Sequence, residues 1–174
     1  MMEELKNKKH KLYMLVGVPG SGKSTWIQNH KNFFGDNFIV ISRDAIRFSI
    51  LKEDDEYFSK EDEVWKEYIN QINSALEKYD NIILDATHLN ERSRSKVLRA
   101  INLTKDIEVN SIMINTSLNK SLEQNEQRTG RECVPRGQIR RMFFQTTKPS
   151  LDEGFDQIYI YNPEKEDKYI VIKE

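Results

Sequence analysis

The residues best suited to chemistry in this chain fall in one stretch. Gly17-Val18-Pro19-Gly20-Ser21-Gly22-Lys23-Ser24-Thr25 fits the pattern G-x-x-x-x-G-K-[ST] without a mismatch. The three glycines let the backbone turn so closely that several N–H groups point into one hollow, at the positive end of the following helix dipole. A polyphosphate fits that hollow. Gly17, Pro19, Gly20, Ser21, Gly22, Lys23, Ser24 and Thr25 are therefore read as the ATP-binding set. Lys23 is expected to reach the β- and γ-phosphates, and the Ser24 hydroxyl to help hold the Mg2+ that neutralises them. The bland alternative is a glycine-rich turn. An apolar run over 12–16 before the loop and a helix-compatible segment over 23–32 after it argue for the phosphate site.

Two carboxylates and a group of arginines complete the chemical inventory. A hydroxyl nucleophile must lose its proton, and a carboxylate within hydrogen-bond reach can take it. Asp44, just after the apolar run Phe38-Ile39-Val40-Ile41, is placed for that role. It could equally cap the helix that follows, and one residue could do both. Asp85 closes the run Asn81-Ile82-Ile83-Leu84 and is assigned to Mg2+, directly or through water, against the alternative of a turn-forming Asp. Arg128, Arg131, Arg136, Arg140 and Arg141 form the strongly basic stretch, opposed only by Glu132. Such charge usually means a solvated helix face. His10 and His30 have no partner evident in the sequence, and Cys133 reads as a packing residue.

These groups need elements to position them, and the pattern supplies strands and helices in alternation. The clearest helix is marked by Val64, Trp65, Tyr68, Ile69, Ile72, Leu76 and Tyr79 at steps of three and four, with Ser59 and Asp62 as its expected opening. Other helices are expected over about 44–51, after an Asn90 cap, over 117–127, and from a first turn at Pro135 to about 145. Strands are expected at 107–114, 158–161 and 169–172, besides those already named. Strands separated by helices imply a parallel sheet with helices on both faces, whose ligands sit beyond the carboxyl ends of the strands. The loop at 17–25, Asp44 and Asp85 would then open onto one crevice.

The chain resembles the kinase domain of 5′-OH polynucleotide kinases and the small P-loop kinases near it, over nearly its whole length. Ser42-Arg43-Asp44-Ala45-Ile46-Arg47 is similar to that family's S/N-R-D-x-x-R segment, in which the Asp is the general base and the Arg contacts the acceptor. Asp85-Ala86-Thr87-His88-Leu89-Asn90 with Arg94 resembles its D-x-T-N-L-N…R box, with His88 in place of the commoner Asn. Residues 124–131, Val134-Pro135 and 139–142 resemble the lid R-N-x-x-R…V-P…M, with Gln124 where an Arg is often found. The resemblance implies an α/β P-loop NTPase fold of kinase type with a central parallel sheet and a small helical lid at about 124–141, and the length suits one domain over 1–174. It also implies acceptor contacts from Arg43, Asp44, Arg47, Thr87 and His88, catalysis by Lys23, Asp44, Arg128 and Arg131, and a metal site at Ser24 and Asp85, with ATP and Mg2+ as cofactors.

Composition narrows the function classes. At 174 residues the chain is long enough for a core that buries roughly 70% of its unfolded surface. Its net charge of −1 excludes a uniformly basic nucleic-acid binder, so a polyanion must meet a local basic surface. A single cysteine precludes an internal disulfide and fits a reducing cytoplasm, and the charged residues 1–11 suggest neither a signal peptide nor a membrane anchor. Three functions fit. The first, which the resemblance implies, is ATP-dependent phosphorylation of nucleic-acid 5′-OH ends, as in repair. The second is a kinase of a nucleoside, sugar or antibiotic on the same scaffold. The third is a nucleotide-dependent switch, for which the D-x-x-G and N-K-x-D motifs of GTPases are missing.

Overall fold

A computed structural model describes residues 10–173. Its centre is a six-stranded sheet in the order β2-β3-β1-β4-β5-β6, formed by β1 (His10–Val16), β2 (Phe38–Ser42), β3 (Asn81–Asp85), β4 (Ile107–Ile114), β5 (Gln157–Tyr161) and β6 (Tyr169–Lys173). The first five are mutually parallel, as the alternation predicts. β6 runs antiparallel to β5 at the edge. A short connection explains the reversal: Asn162 N–H bonds the Lys168 carbonyl at 2.6 Å, and a link this tight returns a strand antiparallel, whereas a parallel one needs a crossover.

Six α-helices accompany the sheet among the described residues: α1 (Lys23–Asn29), α2 (Arg43–Ile50), α3 (Glu61–Leu76), α4 (Glu91–Ala100), α5 (Leu118–Glu126) and α6 (Arg136–Gln145). The sheet is buried on both faces. Leu12, Met14 and Val16 of β1 join Val64, Tyr68, Ile72 and Leu76 of α3 and Val97 of α4 in one cluster. The alternate residues Tyr13 and Leu15 join Trp26 and Ile27 of α1 with Phe34 in the other. The period of two along β1 thus assigns helices to opposite faces. A third cluster, Val18, Leu89, Leu122 and Ile139, ties α5 and α6 down beside the loop after β1.

Several boundaries differ from expectation for local reasons. α1 stops at Asn29 instead of 32, and a 3-10 turn over Lys31–Phe34 swings Phe34 into the core. Ser59 does not open α3. Its hydroxyl donates to the Glu56 carbonyl at 2.7 Å, and the helix begins after Lys60 with Glu61, Asp62 and Glu63 in its first turn, where acidic side chains complement the helix dipole. Pro135 is the residue before α6, not within its first turn. Asn90 caps α4 as expected, in a reciprocal capping box with Ser93, and Ser117, expected within the next helix, instead caps α5. Among the described residues no helix is long and apolar enough to cross a membrane. The reading of 1–11 as neither signal nor anchor lies, for 1–9, outside the described residues.

Candidate active site

The parallel sheet aligns its carboxyl ends, and the expected chemical residues gather there. Ser42 of β2 is level with Asp85 of β3, and β1 alongside delivers the loop at Gly17. That loop has the backbone its glycines permit: Gly20 and Gly22 have φ of 80° and 97°, and a Cβ on Gly20 would collide with the Ser121 carbonyl of α5. Three bonds hold the loop in place. Gly17 N–H donates to the Thr87 carbonyl at 3.0 Å, the buried Thr116 hydroxyl donates to the Ser21 carbonyl at 2.6 Å, and Gln124 Nε2 donates to the Gly20 carbonyl at 2.6 Å. Gln124 therefore belongs to the site, in a role other than the arginine clamp of the lid pattern. The buried Ser21 hydroxyl has no hydrogen-bond partner among the described residues, and Lys23 Nζ folds back onto the Gly17 and Val18 carbonyls at 2.9 and 3.1 Å. A hollow of loop amides with an orphaned hydroxyl and a lysine that can swing outward fits a polyphosphate.

Electrostatics links four groups across the crevice. Burial draws the Lys23 ammonium pKa below its usual range, an effect opposed by Asp85 and Asp44 and reinforced by Arg128. Burial raises the Asp85 carboxyl above its usual range, with Asp44 adding to the rise, while Lys23, Arg128 and a hydrogen bond with Ser24 oppose it. Lys23, Ser24, Asp44, Asp85 and Arg128 thus share one space. Ser24 and Asp85 offer hard oxygens side by side, a donor set suited to Mg2+ held jointly with phosphate oxygens. Among the described residues no cluster of three or more His, Cys, Asp or Glu could form a separate metal cage.

Asp44 lies in the first turn of α2 but does not cap it; the Ser42 hydroxyl does, accepting from Ala45 N–H at 3.2 Å. The Asp44 carboxylate is instead held from one side. Its Oδ1 accepts from the Tyr57 hydroxyl at 2.7 Å and from Arg47 Nη1, and Oδ2 takes no hydrogen bond among the described residues. Burial and Asp44 push the Tyr57 pKa well above the usual range, so Tyr57 remains a proton donor to the carboxylate.

Other expected contacts are corrected. Arg47 is buried, its guanidinium enclosed by Glu61, Tyr57 and Asp44, an arrangement that differs from the acceptor-phosphate contact the sequence suggested. Burial alone would lower its pKa; the bond with Glu61, followed by Tyr57 and the charges of Glu61 and Asp44, raises it instead. His88 is also buried. Its Nδ1 pairs with the Leu15 carbonyl at 2.6 Å and its Nε2 with the Tyr68 hydroxyl at 3.1 Å, leaving no ring nitrogen for an acceptor. It is the one described non-glycine residue with positive φ, at 43°, and Arg94 Nη1 holds its carbonyl at 3.1 Å. Arg94, wholly buried, also pairs with Glu153 at 2.6 Å and bonds Thr147, stapling the loop after β3 to the chain before β5. Thr87 contributes its backbone carbonyl to the loop. Arg43, which donates to Glu61 and lies with Cζ 5.4 Å from the Trp65 ring centre, stays near Asp44.

The lid arginines separate. Arg128 acts on Lys23 and Asp85, whereas Arg131 donates to the Lys52, Glu53 and Asp55 carbonyls, across the loop between α2 and α3. The neighbouring Asn125 amide clamps Val134 through both its N–H and C=O, at 3.0 and 2.7 Å. Sequence reasoning passed over Tyr57, Glu61, Thr116 and Asn125. Of these only Asn125 carried a signal, its place in the lid pattern.

A family model described as an AAA domain matches residues 12–149. No curated protein matches this chain. Among solved structures, a chain of the Pnkp1/Rnl/Hen1 RNA repair complex is similar at 24% identity and TM-score 0.65, over 78% of this chain and 43% of that one. This chain therefore spans less than half the length of that relative. A gluconokinase from Sinorhizobium meliloti 1021 is similar at 17% identity and TM-score 0.56, over 91% of this chain and 85% of the other. Chaetomium thermophilum Kti12 in complex with ADP-AlF3 is similar at 14% identity and TM-score 0.59, over 90% and 91% of the two chains. At these identities the likeness is one of fold.

Proposed function

This chain belongs to the AAA-domain family of P-loop, kinase-like proteins, and from that premise we propose that it transfers the γ-phosphate of ATP to the 5′-OH end of a polynucleotide. The observation that carries the reading is the half-engaged carboxylate of Asp44. Tyr57 and Arg47 fix one oxygen, and the other is left to accept the proton of an incoming hydroxyl, on the crevice shared with Lys23 and Asp85. Phosphoryl transfer asks a protein chiefly to align two oxygens and neutralise charge. In this proposal Lys23 and the loop amides hold the donor phosphates, Ser24 and Asp85 hold Mg2+, and Arg128 meets the charge developing on the transferring group. Mg2+, if held by Ser24 and Asp85, would supply positive charge that offsets the charge of the donor phosphates. Asp44 takes the acceptor proton, Arg43 and Thr87 flank the acceptor, and Arg131 keeps the lid against the loop between α2 and α3. In this proposal the chain works in the cytoplasm, with the described residues 10–173 as one kinase-type domain.

Likeness to the RNA repair complex and the resemblance of 42–47, 85–94 and 124–142 to polynucleotide kinases support a nucleic-acid acceptor. A small-molecule kinase is the rival, favoured by the coverage of the gluconokinase chain and by the enclosure of Arg47 and His88. Radiolabelled ATP offered in parallel to a 5′-OH oligonucleotide and to a panel of nucleosides and sugars separates the two. Label on the oligonucleotide alone is expected; label on a nucleoside or sugar alone overturns the proposal.

A further inference from the structure

Beyond the crevice, one wall of α4 carries a stripe of cations. Arg92, Lys96 and Arg99 lie at spacings of four and three, which places them on one helix face, and all are exposed. They line an open trough of about 1110 Å³ whose far wall holds Lys148. Among the described residues none of these four cations is in an ion pair. Like charges one turn apart destabilise a helix, so the stripe is not explained by the stability of α4. The chain as a whole is slightly acidic, with net charge −1, so this concentration is local. Of the two acidic residues lining the trough, Glu153 is neutralised by the buried Arg94, which leaves Glu91 on the rim.

Trp65 connects this trough to the reaction crevice. Its ring lines the trough, with Lys96 Nζ 4.3 Å from the ring centre, while the Arg43 guanidinium lies 5.4 Å from the same ring and Asp44 is the next residue along. Trp65 therefore touches both the trough and Arg43, the chain neighbour of the proposed base Asp44. The space is slightly larger than the roughly 300–1,000 Å³ of small-molecule pockets, and seven of the thirteen residues lining it are charged. Spaced cations beside an aromatic side chain form the surface that tracks a single-stranded phosphate backbone.

We infer that the trough between α4 and the segment around Lys148 binds the phosphates of a single-stranded polynucleotide downstream of its 5′ end, through Arg92, Lys96, Arg99 and Lys148. The inference rests on the polynucleotide reading of the site. It also predicts binding in the absence of ATP, so it can stand or fall separately. The acceptor's first nucleotide would lie by Arg43 and Asp44, and the strand would then pass Trp65 into the trough.

The test is fluorescence anisotropy of the full chain with a 3′-labelled 5′-OH single-stranded oligonucleotide, without ATP, across a salt series. Wild type should bind, with affinity falling as salt rises. Lys96→Gln/Arg99→Gln should bind at least tenfold more weakly, and its log K against log salt should be shallower by about 1.4, or about 0.7 for each phosphate no longer neutralised. Arg92→Gln/Lys148→Gln, on both walls, should do the same. Melting temperatures near wild type are expected, because all four side chains are exposed. Undiminished binding and slope in both double variants overturns the inference, as does a wild type that binds no oligonucleotide. A poly-glutamate peptide that competes as well as the oligonucleotide also overturns it, in favour of an acidic protein partner. An oligonucleotide held through these residues but never phosphorylated would leave the trough standing and remove the kinase proposal.

Discussion

Glu61, the first residue of α3, accepts from Arg47 Nη2 at 2.9 and 3.0 Å on its two oxygens and from Arg47 Nε at 3.3 Å. The pair fastens α2 to α3, and Arg47 then reaches back to Asp44. The arginine is thus placed to position the proposed base.

Arg47→Ala should accordingly destabilise the fold by about 3 kcal/mol, the low end for breaking a buried pair, because the Glu61 side chain is 33% exposed. It should also lower kcat by freeing Asp44, with the acceptor KM little changed. Melting temperature and steady-state kinetics check this; a normal melting temperature with a raised acceptor KM would restore Arg47 to the acceptor.

The two lid arginines should part in the same assays. Arg128→Ala is expected to lower kcat by about 10³-fold, the low end for arginines that stabilise transferring phosphoryl groups. Arg131→Ala should leave kcat near wild type and increase amide exchange over 52–55, whose carbonyls it holds. Equal losses of kcat in both variants would contradict this division.

How far such roles were readable from sequence depends on the range of each interaction. The loop at 17–25, the strands and the Asn90 cap are local patterns, set by glycine, β-branched runs and a side chain bonding two or three residues on. The convergence of Lys23, Asp44 and Asp85 followed from parallel topology. The burial of Arg47 and His88 was not legible, because their motif positions say nothing of it and it depends on Glu61, Tyr68 and Leu15 in other elements. The Ser59 opening of α3 failed because the hydroxyl found the nearer Glu56 carbonyl. The link from Gln124 to Gly20 spans 104 positions and has no signature in the local sequence.

His88 gives a pH signature. Burial, partly opposed by its bond to the Leu15 carbonyl, lowers its pKa from 6.5 to about 4. A histidine with a depressed folded pKa favours folding while neutral, so its contribution is complete above pH 6.5 and is lost as pH falls towards 4. The loss should total about 3 kcal/mol, at 1.36 kcal/mol for each pKa unit. His88→Asn should flatten stability over that window in denaturant melts; an unchanged slope would show that other groups control it.

Arg94→Ala should cost about 3–5 kcal/mol, since it leaves the Glu153 carboxylate buried and unpaired. Turnover per folded molecule should be retained, because Arg94 braces the loop from behind. Loss of turnover at full stability would place Arg94 in the reaction.

The most direct measurement is single-turnover phosphorylation of a 5′-OH oligonucleotide by wild type and Asp44→Asn. Asparagine keeps the shape and the oxygen that accepts from Tyr57 but is not basic, so the rate should fall by about 10² to 10⁴-fold, with ATP affinity nearly unchanged. An Asp44→Asn protein that phosphorylates the oligonucleotide at the wild-type rate would remove Asp44 as the base and contradict the account.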